Sequence, residues 1–263
     1  TQSRSSAASD VYKRQGCALK CTFCATGYHG FKRNLTSSEI ISQLWIANYY
    51  EDESERVSNV VFMGMGEPLM NTTNVLKTIN IMKDQKCYSL SKRRITLSTS
   101  GIVPEIEAIT GKTDVSLAIS LHASNDDLRN EIVPINKKYP IRDLLLSSKN
   151  YLKSLNSKSY ITVEYILIDK VNDSIEDASN LVSLLSNLKC KINLIPFNPF
   201  PESVYKRSSH QNIESFKNHL IKNKFIATVR TTRGDEIDGA CGQLVGKLIN
   251  PIGSKKLKKE QIS

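Results

Sequence analysis

The sequence predicts an α/β fold organised around a parallel sheet. Six short segments rich in Val, Ile, Leu and Thr recur along the chain, and amphipathic helical patterns separate most of them. A strand, a helix and a second strand in that order join as parallel neighbours through a right-handed crossover. Polar and glycine-rich punctuation at 64–68, 98–101, 122–125 and 198–201 falls just after four of the segments, where ligands of such sheets gather. Periodicity alone leaves two forms open: an open sheet, or one rolled toward a barrel.

The expected strands lie at 59–63, 94–100, 115–121, 161–167, 191–197 and 226–232. Ahead of the first of them, Thr36 and Glu39 stand at capping-box spacing before Ile40, Ile41, Leu44 and Trp45, which recur as a helix face. Ala178, Leu181, Leu185 and Leu188 repeat at helical intervals between the fourth and fifth strands. Ile213, Phe216 and Leu220 do the same before the sixth.

A single core domain from residue 16 to about 250 accounts for this organisation, and 263 residues suffice for a well-buried interior. Lys and Arg total 36 against 26 Asp and Glu, a formal net charge of +10 that favours a polyanionic partner or an anionic surface. No apolar run approaches the roughly 18 residues that span a bilayer, and no charged-then-apolar leader opens the chain. The expectation is therefore a cytoplasmic protein with no membrane contact. Residues 251–263 form a lysine-rich tail, expected to be a solvated or RNA-contacting extension.

Residues 1–15, TQSRSSAASDVYKRQ, carry no hydrophobic period and read as a linker or tag. The piece DVYKRQ is what one reading frame of a common sequencing-library transposon end would encode. A non-native, adapter-like segment joined at Gly16 is expected, with an ordinary disordered N-terminus as the alternative.

Six cysteines do not make a disulfide scaffold in a chain of this length, and three of them crowd together as Cys17, Cys21 and Cys24. Their C-x3-C-x2-C spacing lies in a short loop between Gly16 and Gly27. Three thiolates on a compact loop can hold three irons of a [4Fe-4S] cluster and leave the fourth iron open to S-adenosylmethionine, whose sulfonium the cluster can then reduce to release a carbon radical. A closed zinc site wants four ligands, so the alternative is a zinc loop completed by His29 or a distant Cys.

This triad resembles the signature of the radical S-adenosylmethionine superfamily, and the wording of nearly the whole chain from Gly16 to about Lys247 is similar to the RlmN group of radical RNA methyltransferases. The stretches that carry the likeness are GCALKCTFC, GFKRNLTSSEI, NVVFMGMGEPLMN, SKRRITLSTSG, LAISLHA, EIVPINKKYPI, INLIPFNPFP and TRGDEIDGACGQL. The resemblance implies a partial (β/α)6-type, TIM-like barrel. It also implies that Gly66 and Glu67 hold the methionine part of S-adenosylmethionine, and that Ser98, Ser120, Leu121, His122 and Asn198 contact the same cofactor. Taken without it, Gly-Glu-Pro is ordinary turn chemistry and His122 a structural histidine. On the physical side, the Glu67 carboxylate is expected to meet the cofactor's ammonium group.

Cys241 lies in a Gly-flanked loop beyond the last expected strand, where composition alone favours a buried structural thiol. The resemblance makes it the methyl carrier. Cys87 and Cys190 match nothing functional and are expected as small buried hydrophobes. The mechanism implied is that one S-adenosylmethionine methylates Cys241 and a second yields a radical that takes hydrogen from the methylated thiol. The carbon radical then adds to adenine C2, and the resulting crosslink is broken by a second cysteine and a general base. Asp10 occupies the place of that second cysteine, and the base belongs to an N-terminal region not present here. These 263 residues are accordingly expected to bind cluster and cofactor yet stall as a crosslink.

The partners implied are 23S ribosomal RNA, some transfer RNAs and an electron donor such as flavodoxin, with the enzyme acting as a monomer. Basic clusters at 92–94, 137–138, 206–207 and 230–233 are candidates for phosphate contacts, or solvated faces. Two alternatives stand beside adenine C2 methylation: the related resistance-type activity at adenine C8, and a noncatalytic iron-sulfur protein that binds RNA.

Overall fold

A computed structural model of the chain describes residues 8–10, 14–28, 30–49 and 56–230, with the side chains of 8–10 and 14 left out. Its strands are β1 (Ala8–Asp10), β2 (Arg14–Gly16), β3 (Phe31–Asn34), β4 (Asn59–Phe62), β5 (Ile95–Thr99), β6 (Ser116–Ser120), β7 (Ile161–Leu167), β8 (Cys190–Pro196) and β9 (Ile226–Val229). The helices are α1 (Ala25–Tyr28), α2 (Ser37–Tyr49), α3 (Thr72–Lys83), α4 (Val103–Ile109), α5 (Asp126–Ile132), α6 (Ile141–Ser154), α7 (Ile175–Leu185) and α8 (His210–Lys222). Among the described residues seven strands form one sheet in the order β1-β4-β5-β6-β7-β8-β9, every pair parallel. The other two, β2 and β3, make a small antiparallel ribbon.

Strands that succeed one another in both chain and sheet, joined by crossovers of one hand, put their helices on a single face. Helices pack there in pairs, α2 on α3, α4 on α6 and α7 on α8. The opposite face is left to curl around a cavity, which is the partial barrel expected. Pleating divides the residues between the two faces. Leu97, Leu117, Ile119, Val163, Tyr165, Ile192 and Leu194 enter the continuous core under the helices, whereas Ser98, Ser120, Glu164 and Ile195 line the cavity.

The six expected strands all form, each within two residues of its expected bounds as far as the chain is described. Arg94 is the exception in kind, because 92–94 make a 3-10 turn before β5. The first segment is not without regular structure. Within 1–15, the backbone of Ala8–Asp10 pairs with Asn59, Val60 and Val61 as an edge strand, and Arg14–Gly16 forms half of the ribbon. Edge pairing uses backbone donors and acceptors alone, so it needs no hydrophobic pattern.

The Thr36 capping box is present, with Thr36 N–H donating to Glu39 Oε2 at 2.8 Å and Glu39 N–H to Thr36 Oγ1 at 3.2 Å. Ile40 and Leu44 point into the core, but Trp45 is 53% exposed on the outer face of α2. Residues Ala178, Leu181, Leu185, Leu188, Ile213, Phe216 and Leu220 are buried as expected. Cys87 is exposed and Cys190 only half-buried, so neither is the fully buried hydrophobe anticipated. No helix among the described residues is long and apolar enough to cross a membrane.

Candidate functional site

The cysteine loop is set by its glycines. Gly16 has φ +76°, and a Cβ there would lie 1.8 Å from the Gly30 carbonyl oxygen, so no other residue fits where β2 meets β3. That closeness lets Cys17 N–H donate to the Gly30 carbonyl at 3.0 Å. Cys24 N–H then donates to the Cys21 carbonyl and Gly27 N–H to the Cys24 carbonyl, winding the loop into α1. From outside the loop, the Ile132 carbonyl at the end of α5 accepts the N–H of Thr22 at 3.2 Å.

Cys17, Cys21 and Cys24 are half-buried thiols that line one cleft, which encloses about 800 Å³ of empty space partly open to solvent. Burial, and after it the neighbouring Cys24 and Cys17, pushes the Cys21 thiol well above its ordinary range. Deprotonating Cys21 there therefore calls for a bound cation to compensate it. Among the described residues no three His, Cys, Asp or Glu side chains gather around a point suited to a single metal ion. Three thiols on one loop, each able to cap a different iron, are a donor set that suits a cluster.

The rest of the cleft comes from the carboxyl ends of β4 to β8. Glu67 is 3% exposed, and each of its oxygens accepts a backbone N–H, from Leu69 at 3.0 Å and from Ser100 at 2.7 Å. The carboxylate thus braces the turn after β4 against the end of β5. Gly64, Gly66 and Glu67 all line the cleft.

His122 stands two residues past β6 in the left-handed region at φ 63°, a strained conformation for a non-glycine residue. Its neighbours hold it there. The Nδ1 atom accepts the Ile166 N–H at 3.1 Å, the carbonyl accepts Asn172 Nδ2 at 2.8 Å, and the Phe23 ring packs edge-on at 4.7 Å. Burial, with the Arg129 cation adding to it, pulls the imidazole down to about 3. With Nδ1 accepting, the neutral ring carries its proton on Nε2 as a donor.

The structure thus brings Cys17, Cys21, Cys24, Gly66, Glu67, Ser98, Ser120 and His122 to one cleft. It does not bring Leu121 or Asn198 to the cavity wall. The Leu121 side chain is in the core, and its carbonyl accepts from Arg129 Nε at 2.9 Å. Asn198 lies beyond β8, where its Oδ1 accepts from Arg207 Nη1 at 3.2 Å. Cys241 and His29 fall outside the described residues, as do 231–233 and the tail. Of the basic clusters, 92–94 sits at the amino ends of the strands, away from the cleft, with Lys92 paired to Asp114 at 2.9 Å.

Two groups escaped the sequence reading. Glu164 lines the cleft at 4% exposure, its Oε2 accepting from Asn193 Nδ2 at 2.8 Å, and burial raises its carboxyl to about 7. The signal was a lone acid inside an otherwise uncharged strand. Arg129 is fully buried behind the strand ends, and nothing in its charged, surface-like context marks it.

Residues 11–182 match the Radical SAM superfamily. The chain is 54% identical over 242 residues to the dual-specificity RNA methyltransferase RlmN of Marinobacter nauticus, covering 90% of this chain and 66% of that protein. Against the protein of the same name from Psychrobacter arcticus it is 52% identical over 254 residues, covering 90% and 62%. It therefore spans just under two thirds of the length of these curated relatives. Among solved structures, a radical SAM methyltransferase from Sphaerobacter thermophilus superposes with a TM-score of 0.87 at 40% identity, over 91% of this chain and 70% of that one. SuiB of Streptococcus suis, at 13% identity and a TM-score of 0.63 over 87% of this chain and 49% of that one, shares the fold alone.

Proposed function

Because the chain belongs to the Radical SAM superfamily, we propose that it is the catalytic core of an RNA methyltransferase acting on C2 of adenine in 23S ribosomal RNA and in transfer RNA. One observation carries the reading: three cluster-type thiols and the carboxyl ends of β4 to β8 open on the same cleft. When bound there, a [4Fe-4S] cluster supplies the electron that turns the sulfonium of S-adenosylmethionine into a source of a carbon radical. An adenine ring carbon offers no lone pair to an ordinary methyl donor, so a radical route suits this substrate.

The chain's own residues divide the remaining tasks. Cys17, Cys21 and Cys24 hold the three protein-bound irons. The glycine-rich turn after β4, kept in shape by Glu67, receives the amino-acid end of the cofactor, while Ser98, Ser120 and His122 face its nucleoside. Neutral His122 serves as a hydrogen-bond donor and takes no part in proton transfer near neutral pH. Phe23 and Ile166 cover the wall that water would otherwise reach. Leu121 acts through its backbone, Asn198 borders the site beyond β8, and Cys241 carries the methyl group. An electron donor such as flavodoxin, a monomeric state and a cytoplasmic location complete the reading.

Anaerobic reconstitution followed by reduction with S-adenosylmethionine present is expected to give 5′-deoxyadenosine, with production lost in Cys17→Ala, Cys21→Ala and Cys24→Ala. With 23S ribosomal RNA added, mass spectrometry is expected to find the new carbon at adenine C2, free or as an RNA–protein adduct. Binding of a single zinc ion, or methylation at C8, would overturn the assignment.

A further inference from the structure

Arg129 is the largest side chain among the fully buried ones of the described residues, and its position is unusual for a cation. From α5 its guanidinium reaches the ends of two adjacent strands. Nε donates to the Leu121 carbonyl at 2.9 Å, and Nη2 donates to the carbonyls of Ser100 at 2.8 Å and Ser120 at 2.9 Å. Nη1 donates to Asn136 Oδ1 at 2.7 Å, and Asn136 Nδ2 passes the contact on to Asp126 Oδ1 at 2.8 Å. The counter-charge thus arrives through an amide relay, and three backbone carbonyls solvate the cation directly.

Those carbonyls belong to the segments that shape the cleft. Ser100 N–H is already tied to Glu67, Ser120 lines the cavity, and Leu121 precedes the strained His122. The far end of α5 grips the cysteine loop through the Ile132 carbonyl and Thr22 N–H, and Phe23 of that loop packs on the His122 ring. Two elements that must stay in register, the cluster loop and the nucleoside-facing strand ends, are therefore joined by one helix and one side chain.

We propose that Arg129 is a positioning residue that holds the β5 and β6 ends in register with the cysteine loop, so that cluster and S-adenosylmethionine meet in the required geometry. The inference rests on the reading of the cleft given above. A planar fork with five N–H groups is needed to reach three carbonyls and an amide in different directions, which a lysine ammonium with three donors cannot do.

The test uses the full chain, reconstituted anaerobically. Arg129→Lys keeps the charge and loses the fork. It is expected to load iron like the parent, to bind S-adenosylmethionine roughly tenfold more weakly in equilibrium dialysis, and to lose the change that the cofactor induces in the EPR spectrum of the reduced cluster. A purely structural arginine would move the melting temperature and leave that spectral change intact. Iron-loaded Arg129→Lys with parental affinity and spectrum overturns the proposal. Should this variant fail to fold, Asn136→Ala decides, because it removes the Nη1 acceptor that aims the guanidinium fork at the three carbonyls. Weakened cofactor binding at parental iron content supports the role, and parental affinity overturns it. A parent chain that takes up no iron and binds no S-adenosylmethionine sinks the reading of the cleft itself, an outcome separate from any difference between variants.

Discussion

The carboxyl and amino ends of the parallel strands are built to different rules. At the carboxyl end, Glu67, His122, Arg129, Glu164 and Asn172 are buried polar groups, each held by specific hydrogen bonds, and the backbone at His122 is strained. At the amino end, Lys83 and Lys92 share Asp114 across partly exposed positions, and Lys189 reaches the Ser157 carbonyl at the surface. Buried groups that are fully satisfied rigidify a site, while exposed ion pairs add little and tolerate change. The two ends of one sheet therefore separate where geometry is enforced from where charge is merely accommodated.

The sharpest way to break this contrast is at Asn172, which is fully buried. Its Oδ1 accepts from Ile168 N–H at 2.8 Å, and its Nδ2 donates to the carbonyls of His122 and Ile166 at 2.8 and 2.7 Å. Asn172→Ala leaves three buried backbone groups short of a partner and is expected to lower unfolding free energy by about 4 kcal/mol in denaturant titrations.

Glu164 tests the same end through pH. Its folded-state carboxyl titrates near 7, above the ordinary 4.5 of the unfolded chain, so the neutral form that the fold prefers is present at low pH. Between those two values stability falls as pH rises, and above the folded value the deficit is constant at about 3 kcal/mol. Glu164→Gln should thus stabilise the protein by up to that amount at pH 8 and by nothing at pH 4, read from melts at both. A pH-independent effect would remove Glu164 from the list of enforced groups.

The smallest effect is expected at the amino end. Asp114→Asn should cost at most about 1 kcal/mol, fading in high salt. A loss comparable with that of Asn172→Ala would erase the distinction between the two ends.

The strands were legible because five of them carry apolar residues on both faces or at alternate positions, and the α7 and α8 stripes because their inward residues repeat every three or four positions. β1 was not, since an edge strand of three residues pairs through its backbone and leaves no side-chain signature. Trp45 was misplaced because it extends the apolar stripe of α2 on the sequence yet faces outward in space. In the site, the thiol spacing and the turns after strands pointed to the cleft correctly. That Glu67 also accepts the N–H groups of Leu69 and Ser100 left no mark in the sequence, because the second partner lies 33 residues away. Arg129 was invisible for a related reason: three of its four partners are main-chain atoms, and main-chain atoms leave no trace in residue identities.

The order of the sheet has one more consequence, for synthesis. From β5 onward each strand lies against the one made just before it. A nascent chain can therefore dock each strand-helix unit onto a finished edge as it emerges, without waiting for a distant partner, and the growing edge is covered by the next addition. The loop that supplies the thiols comes out early, so the pocket's last walls close around a ligand set already translated.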